Sequence, residues 1–113
     1  MTIARDHHSQ FALCGLLSPS LWWCDGAVLE EIKKDCGWMR RLRFWLDVGT
    51  QEGGDGTGFP PGVLHARRLK ACFDRAGLTP EGDYSYLEVQ GGTHDEGAWA
   101  ARFDRLLLYF FGK

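Results

Sequence analysis

The chain has 113 residues, enough for one hydrophobic core and too few for two. Hydrophobic residues at 44% and charged residues at 25% set it among chains that fold, not among disordered ones. A net charge of −2, with both signs spread along the whole length, offers no field to a phosphate backbone or an anionic lipid surface, so neither nucleic acid nor a membrane is an expected partner.

In chain order, residues 1–10 show neither helical nor strand periodicity and read as a mobile lead-in before a single domain over 11–113. The apolar run FALCGLL (11–17) predicts a buried strand. After the turn-rich SPSLWWCDG, Val28, Leu29 and Ile32 recur at helical spacing with Glu30 and Glu31 opposite, predicting a surface helix over 26–34. RLRFWLDV (41–48) is aromatic and branched enough for a second strand ending at Gly49. Residues 49–62, rich in glycine and holding Pro60 and Pro61, predict a long loop.

Leu69, Cys72, Phe73 and Ala76 then repeat at i, i+3, i+4 and i+7, predicting a helix over 63–76 with Gly77 as its C-terminal cap. YSYLEV (84–89) predicts a third strand running into the turn GGTHDEG. A last helix over 96–111 sets Trp99, Phe103, Leu106, Leu107 and Phe110 on one stripe, with Arg102 and Arg105 outside it. Strands alternating with helices predict an α/β fold: about three parallel strands with helices on both faces.

In a parallel sheet, chemistry collects in the loops beyond the carboxyl ends of the strands. Two such loops carry titratable groups: Asp47 and Glu52 after the second strand, His94 and Asp95 after the third. A histidine there can take a proton from a hydroxyl and return it to a leaving group when a carboxylate holds its other ring nitrogen. Glu52 and Asp47 are the candidate carboxylates, and an acid ahead of the histidine matches the chain order Ser, Asp/Glu, His of α/β-hydrolases.

Other constellations are weaker. Asp6, His7 and His8, taken with His65 and His94, lack metal-ligand spacing, and no metal or cofactor is expected. The run GGDGTG lacks the Lys-Ser/Thr of a phosphate loop. Cys14, Cys24, Cys36 and Cys72 form no C-x-x-C pair, no apolar signal segment opens the chain, and no apolar run approaches the roughly 20 residues that span a bilayer, so a cytoplasmic protein with free thiols is expected.

Three stretches in register, SPSLWW (18–23), WLDVGTQEGG (45–54) and VQGGTHDEGAW (89–99), resemble the serine esterases that include enterochelin esterases, S-formylglutathione hydrolase and the mycolyltransferases. The resemblance covers about residues 11–113 and implies the C-terminal part of an α/β-hydrolase fold acting on small-molecule esters. It implies Glu52 as triad acid, His94 as triad base and Trp99 as the tryptophan of the final helix, with Asp47 and Asp95 in support. Trp22 and Trp23 would line an acyl pocket or plug the core.

No G-x-S-x-G elbow occurs, so the nucleophile is not recognisable. Ser9 lacks the flanking glycines, and Ser18 and Ser20, around Pro19, read as turn and capping residues. The expectation is therefore a carboxylic-ester hydrolase lineage carrying Glu52 and His94. The alternative is a truncated, non-catalytic remnant that forms a homo-oligomer, or accepts a complementing chain, through an exposed sheet edge.

Overall fold

A computed structural model describes residues 1–52 and 62–112. The elements are α1 (Thr2–Asp6), β1 (Leu13–Leu17), α2 (Trp23–Lys34), a 3-10 turn (Gly37–Arg41), β2 (Arg43–Gly49), α3 (Gly62–Arg75), β3 (Tyr84–Val89) and α4 (Glu96–Phe111). The three strands form one parallel sheet in the order β1-β2-β3, which is the α/β arrangement the alternation of patterns predicts. The glycine-rich run 53–61, including GGDGTG, lies outside the described residues.

β2 sits in the middle of the sheet and is covered on both faces. Phe44, Trp45, Leu46, Asp47 and Val48 are all buried. Alternation sends Phe44, Leu46 and Val48 into the main core beneath α2 and α3, and Trp45 and Asp47 toward α4. The core is built around rings in tilted contact, Phe44 with Phe73 at 4.7 Å and Phe73 with Tyr84 at 5.2 Å between centroids, with Leu29, Ile32, Met39 and Leu69 beside them. Burying each such side chain contributes about 1.5–3 kcal/mol.

α3 ends as its sequence predicts. Gly77 takes φ +88°, and the Gly77 and Leu78 N–H groups close back on the Asp74 and Phe73 carbonyls. Asp95 caps α4, its Oδ1 accepting from the Ala98 N–H at 2.8 Å.

Two features differ from the periodicity. Residues 2–6 form α1, a single turn too short to leave a repeat in the sequence, with Ala4 in the core. On α4, Arg102 is only 3% exposed while Phe103 and Leu107 are 49% and 41% exposed, so the face turned to the sheet includes Arg102 and Leu106 and leaves part of the apolar stripe outside. The reason is electrostatic: Asp47, fully buried on β2, pairs with Arg102 at 2.9 Å, and a buried carboxylate needs a partner more than a phenyl ring needs shelter.

Candidate functional site

The turns after β2 and β3 are laced together by their backbones. The Thr50 N–H donates to the Val89 carbonyl and the Gln51 N–H to the Gly92 carbonyl, both at 3.0 Å, while the Gly91 N–H donates to Thr50 Oγ1 at 2.8 Å. The approach demands glycine: a Cβ on Gly49 would stand 2.2 Å from the Gly92 carbonyl oxygen, and Gly91 adopts φ +75°. Two turns from adjacent strands thus become one platform at the carboxyl end of the sheet, and it carries Glu52 and His94.

On that platform His94 Nδ1 lies 3.1 Å from Glu52 Oε2. With the hydrogen on Nδ1, the ring donates to the carboxylate, and Nε2 is left with no protein partner among the described residues. His94 is 45% exposed, whereas Glu52 is 6% exposed. The imidazole also meets the Trp99 ring edge-on, centroids 5.0 Å apart at 87°, which limits its rotation.

Glu52 is held from its far side. Oε1 accepts from Ser18 Oγ at 2.5 Å and from the Gly49 N–H at 2.8 Å. Ser18 Oγ in turn accepts from Arg102 Nη2 at 2.7 Å, and the same nitrogen donates to Asp47 Oδ1 at 2.9 Å. The other Asp47 oxygen accepts from Trp45 Nε1 at 2.7 Å. Asp47, 0% exposed, is accordingly the anchor of a buried network and does not touch His94. Asp95 serves helix and turn: the Thr93 hydroxyl, then the Ala98 N–H, hold its carboxyl below the usual range.

The structure therefore brings Glu52 and His94 together, and commits Asp47 to Arg102 and Trp45 and Asp95 to Thr93 and the start of α4. It also corrects Ser18, which the sequence suggests is a turn and capping residue. Ser18 does take a turn conformation, φ 46°, but its hydroxyl is buried and committed to Glu52. Arg102 is the residue that periodicity misses, and the available signal was a charge three positions beyond Trp99 on the inner side of α4. Trp23 is 67% exposed and lines a shallow apolar pocket of about 340 Å³ with Leu16, Leu21 and Val28, so it does not plug the core.

The remaining ingredient of acyl transfer, a nucleophile, has no candidate bonded to His94 among the described residues. Ser18 faces the acid and not the base, Ser9 is exposed in the turn after α1, and burial pushes the Cys14 and Cys72 thiols up, away from thiolate. No group of three His, Cys, Asp or Glu among the described residues is arranged to hold a metal ion. Among the described residues no helix is long and apolar enough to cross a membrane. The chain matches no family model, and a search of curated proteins finds no match.

Proposed function

We propose that this chain carries the acid and base of a carboxylic-ester hydrolase, Glu52 and His94, for a small-molecule ester, the nucleophilic serine being contributed from outside the chain. The observation that carries the reading is the Glu52–His94 contact at the carboxyl ends of parallel strands, with Nε2 of the imidazole open. A carboxylate on Nδ1 fixes the tautomer and stabilises the imidazolium that forms when Nε2 removes a hydroxyl proton, the contribution such a pair makes in acyl transfer. Four free cysteines agree with a reducing, cytoplasmic setting. The test is hydrolysis of p-nitrophenyl acetate, an ester activated enough for an open imidazole to act on it without the serine, by the protein and by His94→Ala: the reading expects His94→Ala to lose the activity, and turnover that survives the substitution refutes it.

A second reading is favoured by one specific observation. Among the described residues β1 pairs only with β2, and its outer side, LCGLL, has neither a charge nor a proline to discourage another strand. On this reading the chain is a non-catalytic packing unit that joins a second copy of itself or a complementing chain through β1. Hydrolysis of the activated ester separates the two, since turnover that depends on His94 supports the hydrolase and its absence supports the packing unit.

A further inference from the structure

We infer that Ser18 and Arg102 form a positioning relay that aims Glu52 at His94, an inference that rests on the assignment of Glu52 and His94 above. A glutamate on a turn has three side-chain torsions, so its carboxylate orientation must be imposed from outside. Here two donors, the Ser18 hydroxyl and the Gly49 N–H, converge on Oε1 and leave Oε2 as the oxygen that meets His94 Nδ1.

The direction of the relay follows from donor chemistry. A hydroxyl has one hydrogen and rotates to suit its neighbours, so Ser18 alone does not guarantee donation to Glu52. Arg102 settles it. A guanidinium has five N–H donors and no acceptor, so with Nη2 donating to Ser18 Oγ the serine hydrogen has to leave in another direction, toward Oε1. Arg102 is itself fixed by Asp47, and Ser18 by its N–H, which donates to the Asp47 carbonyl at 2.9 Å and approaches Oδ1 at 3.2 Å.

Five groups thus run in one order, Asp47, Arg102, Ser18, Glu52, His94, and at its last member Nε2 has no partner among the described residues. Packing alone accounts poorly for Arg102. Its Nε and Nη1 are buried with no partner among the described residues, so replacing Arg102 and Asp47 together by apolar side chains would cost stability little, although replacing either alone strands the other.

The test reads the tautomer of His94 and needs no turnover. Long-range ¹H–¹⁵N NMR at a pH where the imidazole is neutral reports which nitrogen carries the hydrogen. The wild-type chain is expected to hold it on Nδ1. Arg102→Met and Ser18→Ala are expected to lose that majority, with His94 reverting to a mixture, while Arg102→Lys, which also donates and cannot accept, restores it. If Arg102→Met fails to fold, Ser18→Ala decides alone, since it leaves the Arg102–Asp47 pair in place. Folded variants that keep the wild-type Nδ1–H population overturn the relay. A wild-type chain with its hydrogen on Nε2 overturns the Glu52–His94 assignment and the relay with it.

Discussion

Asp47→Asn isolates the buried ion pair from cavity effects, because the two side chains have nearly the same shape. Asp47 is 0% exposed and receives Arg102 Nη2 at 2.9 Å on one oxygen and Trp45 Nε1 at 2.7 Å on the other. Asparagine offers one acceptor where two are needed, so its NH₂ must face either the indole N–H or the guanidinium, donor against donor. It also leaves the guanidinium, 4% exposed, without a counter-charge. Removing one partner of a buried pair costs about 3–5 kcal/mol, against a total stability of about 5–15 kcal/mol for a domain. At roughly 4 °C per kcal/mol for this size, the melting temperature should fall by about 12–20 °C. Thermal unfolding measures that shift and urea titration followed by tryptophan fluorescence the free energy, with Arg102→Met and the double variant completing a cycle. Since each single change strands the other partner, the double variant should cost less than the sum of the two. A loss under about 1 kcal/mol for Asp47→Asn, or a double variant additive to within about 0.5 kcal/mol, would refute the reasoning.

Phe73→Ala removes a ring fully buried between Phe44 and Tyr84 and should cost about 3–5 kcal/mol in urea unfolding. Gly49→Ala drives a methyl group into the Gly92 carbonyl, so the two turns must part, with a loss of about 1–3 kcal/mol and of the His94 Nδ1–H signal by NMR. His65 is held below its ordinary pKa of 6.5, first by burial and then by Arg68. Above 6.5 both native and unfolded chains carry it neutral. As pH falls through 6.5 the unfolded chain takes a proton that the native chain does not, so stability declines. The urea midpoint should therefore drop between pH 7.5 and 5.5, and drop less in His65→Leu.

The central architecture was legible because its residues have one viable environment. RFWLDV suits only a strand covered on both faces, YSYLEV ends where its glycine turn begins, and the Leu69, Cys72, Phe73 repeat closes at a glycine that adopts φ +88°. The pairing of Glu52 with His94 was legible through their places after two strands and through the resemblance of three stretches. Ser18 and Arg102 were not, for different reasons. A serine beside a proline reads as a turn, and Ser18 is in one; its second role depends on a partner 84 residues away. Arg102 was set outside the helix stripe because periodicity weighs hydrophobicity alone, and it has no term for an aspartate waiting on the opposite strand.

The precision of the Glu52–His94 pair, then, does not come from the turns that carry it. Glycines border both side chains, Gly49 ahead of Glu52 and Gly91 and Gly92 ahead of His94, and such backbone alone would let them wander. What limits them is the backbone contact between Gly49 and Gly92 and, behind it, a chain of buried hydrogen bonds ending on the central strand. Global stability and site geometry should therefore separate under substitution. Phe73→Ala weakens the core from the α3 face and should leave the His94 tautomer of the folded fraction unchanged. Gly49→Ala and Ser18→Ala remove less buried area and should change it. If Phe73→Ala shifted the tautomer as much as Ser18→Ala does, the pair would be following the general tightness of the fold, and the network from Asp47 to Glu52 would have no separate role in aiming it.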